Sequence, residues 1–202
     1  MVIELVVATR NKHKTCEIQH ILGPEFRVRD LQANPDISEI RESGTSFEEN
    51  AKLKALAVSR QLPALVIADD SGLEVDTLGG APGIYSARYA GANATDRDKI
   101  EKLLRELARV RATDDGRRAR FRCVVALARK GDLLGIFEGT VEGRITDTTR
   151  GDSGFGYDPI FVPDGFEQTF GELPGEVKNT ISHRAKAIRA LAGRLRRLEF
   201  GD

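Results

Sequence analysis

The chain has 202 residues, 40% hydrophobic and 31% charged, enough apolar material for a substantial core and too much for a disordered chain. Its 31 basic and 31 acidic residues cancel. A domain that coats nucleic acid carries a basic excess, so nucleic acid is not an expected partner, and an anionic ligand must be met by a local cluster of cations. No run approaches the roughly 18 apolar residues of a membrane span, so no membrane partner is expected.

Cys16 and Cys123 form no CxxC pair, and a chain of this length needs no disulfide staple. The opening MVIELVVATR lacks a basic leader and is too briefly apolar for a signal peptide. Together these features predict a soluble cytoplasmic protein with reduced thiols.

Residues 2–8, VIELVVA, read as a buried strand, and a helix follows from about Asn11 to Leu22 with Cys16, Ile18, Ile21 and Leu22 on its apolar side. TRNKHK between them reads either as a solvated turn or as a strand-to-helix junction whose N–H groups can hold a phosphate. A short strand is expected near Phe26–Leu31. Thr45 and Glu48 fit a capping box for a helix from about Ser46 to Gln61, which puts Phe47, Asn50 and Lys54 on one face. A strand from Ala64 to Ala68 should end at Asp69-Asp70-Ser71-Gly72.

Dense turn chemistry at Gly79–Gly83 comes next. Thr95 and Asp98 cap a helix reaching about Arg109, with Ile100, Leu103, Leu104 and Leu107 as its stripe. The charged stretch 111–118 reads as an exposed loop and the best candidate for local disorder. Residues 119–129 and 133–145 around Lys130-Gly131-Asp132 suggest a long hairpin. Gly151, Gly154 and Gly156 lead into Tyr157-Asp158-Pro159, and a last helix starts near Ser182 with Ile188, Leu191 and Leu195 inward. The order β-α-β-α-β-α-β-β-α predicts one α/β domain over residues 1–202, with a mixed central sheet covered by helices and no linker.

Paired carboxylates after an apolar strand suit a hard cation, although an Asx-type turn uses the same residues. Thr9, Asn11 and Lys14 at a helix start, with Lys54, Lys178 and Arg184, supply the cations and donors a polyphosphate needs. Gly154-Phe155-Gly156-Tyr157-Asp158 could set a ring against a nucleobase, though Phe155 also reads as core. The chain lacks a Walker A loop, a GxSxG elbow and the residues for a histidine metal site.

In order, Thr9-x-Asn11-x-x-Lys14, Thr45-Ser-Phe47-Glu-Glu-Asn50-Ala-x-x-Lys54-Ala, Ala68-Asp-Asp-Ser-Gly72, Gly79-Gly-Ala-Pro-Gly-Ile-Tyr-Ser-Ala-Arg88, Gly154-Phe-Gly-Tyr-Asp-Pro159 and Ser182-His-Arg184 closely resemble the inosine/xanthosine triphosphate pyrophosphatase family. The likeness runs from about residue 3 to residue 195. It implies an elongated mixed β-sheet with flanking helices, two lobes around an active-site cleft, and a homodimer. It also implies Mg2+-dependent hydrolysis of ITP, dITP and XTP to the monophosphate and pyrophosphate, which removes deaminated purines from the nucleotide pool.

Carried over by position, the resemblance makes Asp70 the proton acceptor and, with Glu42, a metal residue. Thr9, Arg10, Asn11, Lys12, His13, Lys14, Lys54, Ser71 and Lys178 match phosphate or substrate contacts. Phe155, Gly156, Tyr157, Asp158, His183 and Arg184 match the base pocket. Arg10 stands where many relatives have glycine. A related enzyme for pyrimidine or modified nucleotides, and a nucleotide-binding sensor without catalysis, are the competing readings.

Overall fold

The computed structural model describes residues 2–38, 40–113 and 115–200. Its elements are β1 (Ile3–Val7), α1 (Lys12–Leu22), β2 (Phe26–Asp30), α2 (Phe47–Ser59), β3 (Leu65–Val75), α3 (Asp96–Arg109), β4 (Arg118–Arg129), β5 (Asp132–Ile145), β6 (Phe161–Pro163), α4 (Gly175–Ile181) and α5 (His183–Phe200). Six strands form one sheet in the order β2-β1-β3-β4-β5-β6. β1 pairs in parallel with β2 and β3, setting Leu5 opposite Val28 on one side and Leu65 on the other. β5 and β6 are antiparallel, with Gly143 opposite Pro163. The expected mixed α/β sheet with flanking helices is therefore present.

Local chemistry accounts for the element starts. Asn11 caps α1 by accepting from the His13 N–H at 2.9 Å, and Thr9 Oγ1 accepts from the Asn11 N–H at 3.1 Å. α3 carries the full Thr95–Asp98 capping box. β4 and β5 join through Lys130 and Gly131, both at positive φ (54° and 88°), as a two-residue hairpin connection requires.

The chain divides into two compact units: Met1–Asp70 with Cys123–Gly139 and His183–Asp202, and Ser71–Arg122 with Thr140–Ser182. The first has a core of β1, β3 and α5 side chains such as Leu5, Ile67, Ile188, Leu191 and Leu195. The second is built around Leu73, Leu103 and Leu107 with an aromatic group, in which the Phe121 and Phe161 ring centroids lie 4.7 Å apart. Truncating such a buried leucine costs about 2–5 kcal/mol.

Several expectations are corrected. β3 does not stop at Ala68 but runs on to Val75, because Leu73 and Val75 are buried and side chains from other elements, not a local turn, meet the Asp69 and Asp70 carboxylates. The cap of α2 is Ser46, which accepts from the Glu49 N–H, while Glu49 rather than Glu48 returns to Thr45. Glu48 instead pairs with Lys52 one turn on. Cys16 faces outward, leaving Ile18 and Leu22 as the buried side of α1. The short β6 and α4 had no periodic signature long enough to read. Within 111–118, position 114 lies outside the described residues; a 3-10 turn covers Asp115–Arg117, and Arg118 already belongs to β4.

Candidate active site

The first unit collects the acids and two of the lysines. Phe47, Asn50 and Lys54 share the buried face of α2, and the Lys54 ammonium is directed at three acceptors. It donates to Glu42 Oε1 at 2.8 Å, the Asp69 carbonyl at 2.9 Å and Asp70 Oδ1 at 2.9 Å. Burial alone would lower the Lys54 pKa, but Asp70 and Glu42 outweigh it and raise it. Burial pushes the Asp70 carboxyl up, against the pull of the Lys54 charge. Asp70 Oδ2 is buried with no hydrogen-bond partner among the described residues.

Asp69 is placed differently. Its Oδ1 takes the Lys14 ammonium, and its Oδ2 accepts from Arg184 Nε and Cys123 Sγ, each at 3.0 Å. Burial would raise this carboxyl, but Arg184 and then Lys14 hold it well below the usual carboxylate range. Glu17, one helical turn beyond Lys14, pairs with the other side of the Arg184 guanidinium. The Cys123 thiol is pushed up by burial and by Asp69.

Of the remaining α1 candidates, Lys12 and His13 lie exposed in the first turn, and Asn11 spends its carboxamide oxygen on the cap. The Arg10 guanidinium turns away to the Leu31 and Ile37 carbonyls, at 3.0 and 2.7 Å. It thereby fixes the segment after β2. His183 opens α5 and is buried in the same unit as Arg184.

The second unit holds Ser71, half-buried on β3, and the Phe155–Asp158 loop. Asp158 Oδ2 accepts from the Phe155 N–H at 2.8 Å and from Lys178 at 2.5 Å, and the Lys178 ammonium lies 4.7 Å from the Phe155 ring centroid. Gly154 is required here: its φ is +79°, and a Cβ would fall 2.1 Å from Asp158 Oδ2. The Gly156 N–H donates to Asp96 Oδ2 at 2.7 Å. Tyr157 is buried and its hydroxyl donates to the Ser86 carbonyl, so it anchors the loop from below. An open hollow of about 710 Å³ lies between the start of α3 and this loop, lined by Asp96, Ile100, Asp152, Phe155 and Gly156 among others.

Glu17, Asp96 and Ser86 are the residues that sequence reasoning missed. Only Glu17 left a trace, its i,i+3 spacing from Lys14. Asp96 and Ser86 act on partners far along the chain.

Glu42 and Asp70 present the hard oxygen donors that Mg2+ prefers, and both meet the one Lys54 ammonium. Among the described residues no cluster of three His, Cys, Asp or Glu side chains gathers for a metal. A cation here would rest on one or two carboxylates and keep most of its water, the habit of Mg2+.

The Ham1 family profile matches residues 5–194. A dITP/XTP pyrophosphatase of Shouchella clausii is 49% identical over 188 residues, covering 93% of this chain and 94% of that protein. The Bacillus subtilis dITP/XTP pyrophosphatase is 46% identical over 190 residues, with coverage of 94% and 95%. Among solved structures, a HAM1 protein from Coxiella burnetii superposes with a TM-score of 0.85 at 40% identity, over 96% of this chain and 98% of that one. The Ham1 protein of Staphylococcus aureus gives 0.83 at 42% identity, over 97% and 100%. With a matching profile, sequence and fold over nearly its whole length, this chain belongs to the Ham1 family.

Proposed function

We propose that the chain hydrolyses the triphosphates of deaminated purines, ITP, dITP and XTP, to the monophosphate and pyrophosphate. The full-length likeness to dITP/XTP pyrophosphatases supports the reaction class. The observation that carries its placement is the Lys54–Glu42–Asp70 cluster with one carboxylate oxygen left buried and unpaired.

Glu42 and Asp70 are the residues that would hold Mg2+. When bound, the ion supplies charge neutralisation for the triphosphate and acidifies bound water. Asp70 takes the proton of the attacking water on Oδ2, its oxygen without a hydrogen-bond partner among the described residues, as that water approaches the α-phosphorus. Lys54 holds Oδ1 in place during this transfer and, with Lys14, opposes the negative charge that develops on the phosphate chain. The Thr9–Lys14 turn adds the N–H groups of a helix start.

Hypoxanthine and xanthine carry a carbonyl at C6 where adenine carries an amino group. His183, Arg184 or backbone N–H groups would donate to that carbonyl and would meet a second donor in adenine. Leaving such groups unpaired costs about 1–3 kcal/mol each. Phe155 is the ring proposed to face the base, with its position set by Asp158, Lys178 and Asp96.

The test is pyrophosphate release from ITP, dITP, XTP, GTP, ATP and dTTP, with Mg2+ and with chelator. Turnover confined to the first three and abolished by chelator is the expected result. Turnover of dTTP instead would move the base assignment, and no turnover with retained binding would favour a sensor. A cytoplasmic homodimer is also inferred. No described helix is long and apolar enough to cross a membrane, and light scattering in solution reads the oligomeric state.

A further inference from the structure

Asn50 is fully buried on α2, one turn before Lys54 and on the same face. Its Oδ1 accepts the Gly44 N–H at 2.9 Å, two residues from Glu42, whose carboxylate meets Lys54. The carboxamide therefore holds the segment that carries Glu42, on the helix face that also carries Lys54. Gly44 can come this close only as glycine, because a Cβ there would stand 2.6 Å from Glu49 Cβ and 2.8 Å from Asn50 Oδ1.

The bond from Gly44 fixes which end of the amide is which. A backbone N–H must meet the oxygen, so the Asn50 NH2 group points away from the loop. That Nδ2 is buried and has no hydrogen-bond partner among the described residues. A buried donor left unmade costs about 1–3 kcal/mol, and the bond from Gly44 needs only the oxygen of this side chain. Two carboxylates and the Asp69 carbonyl already take the Lys54 ammonium. A neutral donor one turn before Lys54 on the same helix face adds no charge and suits an anionic ligand that arrives with its own cation.

We propose that Asn50 is a further substrate-binding residue, whose Nδ2 donates to an oxygen of the phosphate chain bound at the Glu42–Lys54–Asp70 cluster. The proposal rests on the reading of that cluster as the cleavage site. Asn50 then does two things with one side chain: it ties down the Glu42 loop through its oxygen and meets the phosphate chain through its nitrogen.

Asn50→Asp separates the two roles, because it keeps an acceptor for Gly44 and replaces the donor with a second acceptor. The expected result is a fall in kcat/KM for ITP on the order of 10–100-fold, from loss of one buried donor, in a protein that keeps a cooperative thermal transition. A folded N50D protein with parental kcat/KM overturns the proposal and leaves Asn50 a loop anchor only. The unaltered protein gives a second readout, needed if N50D does not fold. In its 15N spectrum the Asn50 side-chain amide should shift when inorganic tripolyphosphate is added with Mg2+, and stay in place with Mg2+ alone. A shift with Mg2+ alone, or none with tripolyphosphate while the Lys14 backbone amide moves, counts against it. Because this spectrum needs no turnover, it reads Asn50 even if the cleavage reading itself fails in the nucleotide panel.

Discussion

Asp69 and Asp70 are consecutive on β3 yet occupy opposite electrostatic settings. Successive strand residues point to opposite faces, and Asp69 meets Lys14, Arg184 and the Cys123 thiol while Asp70 meets Lys54. Asp69 is saturated and Asp70 keeps a buried oxygen without a partner among the described residues. A proton acceptor needs such an open oxygen, and an anchor needs the reverse.

Substitutions should separate the two. Asp70→Asn is expected to lower kcat for ITP by a factor on the order of 10²–10⁴, the usual contribution of a general base, with little change in melting temperature. Asp69→Asn leaves Arg184 and Lys14 without their shared charge partner. Breaking a buried pair costs about 3–5 kcal/mol, so its melting temperature should drop by roughly 10 °C. Calorimetry and pyrophosphate release on the same preparations check both, and equal melting curves for the two variants would contradict the division.

The acid dependence of stability should follow Asp69. Its folded carboxyl lies well below its unfolded value, so its contribution is complete above about pH 4 and lost as pH falls through the folded pKa. Urea midpoints measured from pH 6 down to pH 2 should decline more steeply below about pH 4 in the parent than in D69N.

Asp70 should titrate the other way. Burial raises its carboxyl, so without Mg2+ its side-chain 13C resonance should move at a pH above the ordinary aspartate range. Added Mg2+ should bring that transition down, because a cation favours the charged form. An ordinary aspartate titration in the metal-free protein would remove the case for a desolvated base.

Lys54 competes with any cation for Glu42 and Asp70. Lys54→Met should therefore tighten Mg2+ binding to the substrate-free protein while lowering kcat at least about 100-fold, as for removal of a charge-stabilising donor. Titration calorimetry and steady-state kinetics give the two numbers, and a loss of both would show that Lys54 mainly holds the site together.

Asp96 is expected to act on substrate affinity. Removing it in Asp96→Ala strands the Gly156 N–H and loosens the loop that presents Phe155. KM for ITP should rise about tenfold, in line with one lost charge-assisted hydrogen bond, with kcat little changed.

By itself the sequence determined the elements with strong local signatures: the Thr95–Asp98 cap, the long hairpin, the α5 stripe, and the family through six motifs in register. Spacing also put Asn50 and Lys54 on one helix face, because helical periodicity is a property of neighbours in the chain. Tertiary structure alone decided which aspartate keeps an oxygen without a hydrogen bond among the described residues, that β3 continues through the motif, that Arg10 serves a loop, and that Glu17 and Asp96 matter. Each of these depends on which partner a charge meets after folding. That partner often lies tens of residues away or more, such as Arg184 for Asp69. Burial then sets how strongly the two interact, and no local pattern encodes it.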